Sequence, residues 1–333
     1  MKARPSKHRG VLAGLFQAAG YPFRLAGCDG QSRKACHPRN ARRNLRCPVC
    51  PPVCSMSLRP YEPIESLDDP RVATYRNLPE RTLRGEAIFI AEGWFVTERL
   101  LQSEYSCESV LVADDHFAEF AERIPRSVPL YVGDRRLLHE IVGYNFHQGI
   151  LAVGRRKPFR RAEELFAPPW REAPIWLVCP EVTKPENLGL VFRSAAAFGV
   201  CGVLLGERCC DPFTRRALRV SMGAVTAVPI AKTTDLHADL QAAKQRYGLH
   251  LVATVLSDSA ISLPDFLCPF PCALMLGHET EGLDAWLNLC DHRVTIPMAP
   301  AVDSLNLGVA AGVFLYELRR SGLSRKKPSG QEF

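Results

Sequence analysis

Three short stretches of this 333-residue chain set amide, guanidinium, carboxylate and hydroxyl side chains beside apolar runs. The first runs from Asn187 to Gly199 and contains Arg193; the second is Leu274-Met-Leu-Gly-His-Glu279; the third is Ile296-Pro-Met298 followed by Ser304-Leu-Asn306. Such groups bind polar ligands and steady charge that develops on oxygen. Each stretch follows an expected strand, at the end where open α/β sheets place ligands. Each also has an ordinary structural reading. Asn187 suits a helix N-cap, and Leu188, Val191, Ala195 and Phe198 form an apolar stripe from which Arg193 points away, as a solvated surface residue would. Glu279 and Glu281 fit an exposed tight turn, and Ser304 fits a helix cap.

Fingerprints of other chemistries are missing. No G-x-G-x-x-G follows a strand, no phosphate-cradling G-x-x-x-x-G-K-[ST] occurs, and Ser221 is preceded by Arg219 where a nucleophile elbow needs glycine. The only metal-like cluster is Cys47-Pro-Val-Cys50-Pro-Pro-Val-Cys54, which could take zinc with His37 or Cys36 but lacks a matched second pair.

The elements that would position the three stretches fall into two α/β runs. In the first, strands at 87–90, 109–113, 128–132 and 149–153 alternate with helices at 94–102, 116–123 and 135–142. In the second, strands at 175–179, 202–205, 249–256, 272–276 and 292–296 enclose helices at 188–198, 214–220, 236–247 and 283–289, and a long helix over 307–320 closes the chain. Alternation of this kind implies layered α/β domains. The expected division is a basic, disordered extension over 1–55, a small α/β domain over 56–155, a charged linker over 156–173, a larger α/β domain over 174–322 and a tail over 323–333.

Charge is unevenly spread. The net value is +7, but residues 1–55 hold eleven Lys and Arg against one acid, leaving residues 56–333 at −3. Overall basicity is therefore a poor guide to a polyanion partner. The 1–55 composition fits a floppy extension, an organelle transit peptide or sequence upstream of a start at Met56. Eight of the thirteen cysteines are scattered beyond residue 55, as small buried hydrophobes in a reducing cytoplasm would be, rather than a disulfide framework. No run is long and apolar enough to span a bilayer.

Taken together and in order, the three stretches resemble the three motifs of the SpoU (TrmH) family of RNA ribose methyltransferases in the SPOUT superfamily: Asn-x-Gly-x-x-x-Arg-x-Ala, then Leu-Gly-x-Glu-x-x-Gly-Leu, then Ile-Pro-Met with Ser-Leu-Asn. Ser221-Met-Gly-Ala224 and Pro229 are also similar, and the likeness covers about 174–320. The 85–153 region resembles that family's small ribosomal-protein-like RNA-binding domain. The resemblance implies a trefoil-knotted methyltransferase domain, S-adenosyl-L-methionine as cofactor, structured rRNA or tRNA as partner, and a homodimer. It implies no metal, no membrane and no DNA. By position, Gly277, Ile296, Met298 and Leu305 would line the cofactor pocket, and Asn187, Arg193, Glu279, Ser304 and Asn306 would be catalytic. Guanidinium is a very poor base, so Arg193 would orient the ribose 2′-hydroxyl and steady its developing charge, with an RNA phosphate taking the proton. Thr280 departs from a usual Gly, and Leu307-Gly308 from a usual Val-Ser. The small residues Gly308, Ala311 and Gly312 share one helix face and would serve dimerisation. The rival reading is a catalytically silent RNA-binding protein on the same scaffold.

Overall fold

The computed structural model describes residues 59–78, 87–145, 147–278, 281–299 and 304–324. The basic 1–55 segment with its Cys47–Cys54 cluster, Glu279 and Thr280 all lie outside the described residues.

The first sheet takes strands β1 (Glu62–Ile64), β2 (Ile88–Glu92), β3 (Cys107–Ala113), β4 (Leu130–Gly133) and β5 (Ile150–Arg155) in the order β1-β4-β3-β5-β2. β1, β4 and β3 run parallel, and β5 is antiparallel to both β3 and β2. Successive side chains leave opposite faces of a strand, so the strands feed two cores. Phe89, Ala91, Val110 and Val112 pack with Val96 and Leu100 of α1 (Trp94–Gln102) and with Phe117 and Phe120 of the one-turn α2 (Phe117–Phe120). Ile90, Leu111, Leu151 and Val153 pack with Leu138, Ile141 and Val142 of α3 (Arg135–Val142), and with Val72 and Tyr75 from a 3-10 turn over Pro70–Tyr75.

The second sheet is parallel throughout, in the order β10-β12-β9-β11-β6-β7-β8. Its strands are β6 (Ile175–Cys179), β7 (Gly202–Leu205), β8 (Ile230–Lys232), β9 (His250–Thr254), β10 (Ile261–Ser262), β11 (Cys272–Met275) and β12 (His292–Thr295). The helices are α4 (Ala162–Phe166), α5 (Pro185–Ala197), α6 (Arg215–Val220), α7 (Leu236–Tyr247) and α8 (Leu307–Ser324). A parallel sheet covered on both faces needs nearly continuous apolar strands, and Ile175 to Cys179 are all buried. Ile175, Leu177, Leu205 and Leu274 face Val191, Phe192 and Ala195 of α5 and Phe314 and Leu315 of α8. Trp176, Val178, Leu204 and Met275 face Leu165 and Phe166 of α4 and Leu240 and Ala243 of α7.

Several details differ from the sequence expectation. The stretch read as a linker holds α4, whose Ala162, Leu165 and Phe166 are buried; Trp176 Nε1 donates to Leu165 O at 3.0 Å. Its charges sit outside while its few apolar residues turn inward. The helix expected over 283–289 is one 3-10 turn, Asp284–Trp286. Leu283, Trp286 and Leu289 recur every three residues, the 3-10 period, and all three join the same core cluster. Strands β1, β8 and β10, two or three residues each, were too short to show a pattern.

Candidate active site

The carboxyl ends of β9, β11 and β12 meet on one edge of the large sheet, and the loops leaving them enclose a cavity of about 690 Å³. That lies within the range of ~300–1,000 Å³ usual for small-ligand pockets. Thr254 Oγ1 donates to Met275 O at 3.0 Å, fastening β9 to β11 where they end at the cavity. Ile296, Met298 and Leu305 bring apolar walls, while Gly277 and His278 bring the loop after β11. Gly277 is closely packed, so a side chain there would require its neighbours to give by a few tenths of an ångström. A Cβ there would lie 3.0 Å from Gly282 C and 3.1 Å from Leu283 Cγ. The same loop is cinched by reciprocal bonds, His278 N to Gly282 O at 3.1 Å and Gly282 N to His278 O at 3.0 Å, with Gly282 at φ 64°.

Helices α5 and α8 reach the cavity together. Lys184 is the N-cap of α5 and Pro185 its first residue, where proline's fixed φ and missing N–H fit. The helix therefore starts three residues before the sequence expectation. Asn187, expected as the cap, lies instead in the first turn, where its side chain meets Asn306 at the start of α8. Asn306 Nδ2 donates to Asn187 Oδ1 at 2.8 Å. Asn306 Oδ1 accepts from Gly308 N at 2.9 Å and its carbonyl from Ala310 N at 2.9 Å, so Asn306, not Ser304, caps α8. Ser304 is exposed on the cavity with its hydroxyl uncommitted to the cap.

From that end the two helices run side by side. A Cβ on Gly308 would stand 2.2 Å from Leu190 Cβ, and Ser194 Oγ donates to Gly308 O at 3.3 Å. At the far end, the half-buried Arg319 donates Nε to Phe198 O at 2.8 Å, Nη1 to Ala173 O at 2.7 Å and Nη2 to Gly199 O at 2.6 Å. Burial lowers its guanidinium pKa. The small face of α8 is thus spent within the chain: Gly308 and Ala311 are buried against α5. This corrects the expectation that it serves dimerisation. The stripe left facing outward is Val309, Val313 and Tyr316.

Of the nine site residues expected from sequence, seven (Asn187, Gly277, Ile296, Met298, Ser304, Leu305 and Asn306) line this one cavity. Arg193 does not. It stands exposed on another face of α5, about 9 Å along the axis from Asn187, and makes no ion pair among the described residues. Glu279 lies outside the described residues. Lys184, His278 and Arg293 also line the cavity and were not singled out from sequence. His278 was the most accessible of these, being next to Glu279.

An adenosine-bearing sulfonium cofactor suits this lining, since apolar side chains and loop backbone converge there with a few polar groups. The comparisons agree. The SpoU rRNA Methylase family model matches residues 174–316. An uncharacterised tRNA/rRNA methyltransferase of Mycobacterium bovis is 35% identical over 265 residues, spanning 77% of this chain and 90% of its own. The AdoMet-bound rRNA methyltransferase from Sinorhizobium meliloti superposes with TM-score 0.66 at 25% identity, covering 78% of this chain and 98% of that one. A solved RNA 2′-O ribose methyltransferase gives 0.65 at 28% identity, covering 79% and 100%. On its fold, its cavity and these likenesses, the chain belongs to the SpoU methylase family.

Proposed function

We propose that this protein transfers a methyl group from S-adenosyl-L-methionine to a ribose 2′-hydroxyl in structured rRNA or tRNA. The observation that carries the reading is the convergence of Asn187, Ser304 and Asn306 on the cavity whose walls include Gly277, Ile296, Met298 and Leu305. Those four residues would hold the cofactor. Once bound, it supplies a methyl group already activated on a sulfonium.

The protein's own task is then to hold the ribose oxygen in line, which can contribute several kcal/mol through orientation alone. Asn306, locked by its cap to α8 and its bond to Asn187, and Ser304 beside it supply hydrogen-bonding groups for the ribose or the methionine end. Arg193 orients the hydroxyl and steadies its developing negative charge, and a phosphate oxygen of the RNA takes the proton. By its place in the second motif, Glu279 is assigned the role of steadying the Arg193 guanidinium. Because Arg193 lies outside the cavity of its own chain, we assign it to a site completed when two copies pair through the α5–α8 layer. The exposed Val309, Val313 and Tyr316 stripe supports that homodimer. The parallel sheet, with β12 inserted between β9 and β10, is compatible with a trefoil threading.

The test is methyl transfer from radiolabelled S-adenosyl-L-methionine to unmodified rRNA and tRNA transcripts, followed by digestion to nucleosides. Label in a 2′-O-methylnucleoside is the expected result. Calorimetric binding of the cofactor with no RNA labelled would instead mark a silent RNA-binding scaffold.

A further inference from the structure

The two sheets meet where α1 lies against the turn that follows α6. A Cβ on Gly223, at φ 79°, would stand 3.2 Å from Val96 Cα and 3.2 Å from Arg99 Cβ. Arg99 Nη1 donates to Met222 O at 2.6 Å, bridging the same turn. On the other side, buried Glu92 at the end of β2 accepts from Arg215 at 2.8 Å and lies 3.9 Å from Arg219, while Arg216 pairs with Glu186 at 2.8 Å. Three guanidiniums therefore share two carboxylates here, and Arg99 adds a fourth that meets only backbone carbonyls, although residues 56–333 as a whole are net negative. The side chains of Arg216 and Arg219 remain 55% and 51% exposed.

An open aromatic ring stands at the same junction. Phe95 is 61% exposed and lies one helical turn before Arg99 on the exposed stripe of α1. Its neighbour Trp94 is already engaged, by Phe120 stacked at 5.2 Å and 7° and by the Arg123 guanidinium at 3.8 Å. Phe95 has no ring partner among the described residues. An uncovered ring beside surplus guanidinium groups matches what unpaired RNA needs, a face for a base and cations for its phosphates.

We propose that this junction binds an unpaired stretch of the substrate RNA, one base stacking on Phe95 and the flanking phosphates meeting Arg216 and Arg219. The proposal deepens the RNA-methylation reading by adding a binding site away from the methyl-transfer cavity.

The test measures binding of the full chain to a pool of unmodified tRNA and rRNA-fragment transcripts, then follows the tightest transcript across a salt series. Phe95→Ala should weaken binding about tenfold, the scale of one stacked base, and Phe95→Trp should restore it, with unchanged melting temperatures. The pair Arg216→Gln and Arg219→Gln should reduce the slope of log K against log salt by about one to two, whereas Arg136→Gln on α3 should leave it unchanged. Wild-type affinity in Phe95→Ala, or an unaltered salt slope in the arginine pair, would overturn the proposal. A wild-type chain that binds RNA in this Phe95-dependent way yet transfers no methyl group would instead refute the methylation reading and leave this one standing.

Discussion

Asn306 and Asn187, 119 positions apart in sequence, are joined by one 2.8 Å hydrogen bond that brings the first turn of α5 and the cap of α8 to the same cavity. The bond consumes one polar atom on each side chain, and the side-chain Oδ1 of Asn306 is spent on Gly308 N–H. Asn306→Ala removes the cap and the cross-link together. A lost cap costs about 1 kcal/mol, so the melting temperature should fall by a few degrees, and methyl transfer should fall far more than that loss explains. Asn306→Asp keeps the cap acceptor but cannot donate to Asn187. It should hold its melting temperature better than the alanine variant while remaining impaired in transfer.

Arg193→Ala is expected to leave folding and cofactor binding close to wild type, because the side chain is exposed and unpaired among the described residues. Its single-turnover rate on RNA should drop by ~10²-fold, the scale of losing one aligned charge-stabilising donor. A rate within twofold of wild type would make Arg193 an ordinary surface residue.

Two substitutions on α8 separate folding from pairing. Gly308→Ala places a methyl group where Leu190 Cβ already stands, and overpacking of this kind costs roughly 1–3 kcal/mol; thermal melting should report it. Val313→Glu lies on the outward stripe instead. It should leave melting of the individual chain nearly unchanged but shift sedimentation equilibrium from dimer to monomer. A wild-type chain that sediments as an active monomer would refute the paired site.

Asp291 supplies a pH prediction. Burial alone would raise its pKa, but hydrogen bonds from Lys244 and from Leu251 N–H outweigh this and hold it below the usual carboxylate value. A depressed folded-state pKa stabilises the protein above the unfolded value of about 3.9, and that contribution is lost as pH falls through the folded value. Asp291→Asn should therefore melt lower than wild type at pH 7, with the gap closing below about pH 4. A gap that is constant with pH would contradict the assignment.

Much of this arrangement was legible in sequence because its signals are local. The strand Ile175–Cys179 is apolar at every position, and Ile296-Pro-Met298 and Ser304-Leu-Asn306 flank one loop. What escaped depends on contacts distant in sequence. Nothing local says that Pro185 opens α5 early and so turns Asn187 from a cap into a partner for Asn306. Nor does the Gly308, Ala311 and Gly312 face reveal whether it meets another chain or Leu190 of its own. Leu165 and Phe166 looked like linker residues because charges surround them, yet the sheet's second face needs them for cover.

The central claim, that the methyl group goes to the ribose oxygen, is tested most directly by removing that oxygen. Once the methylated position has been found as a gap in an alkaline hydrolysis ladder, the same RNA is remade with a single 2′-deoxynucleotide there. The account predicts complete loss of methyl incorporation into the deoxy RNA, with binding preserved. Incorporation that persists on the deoxy RNA would place the methyl group on a base and contradict the assigned reaction.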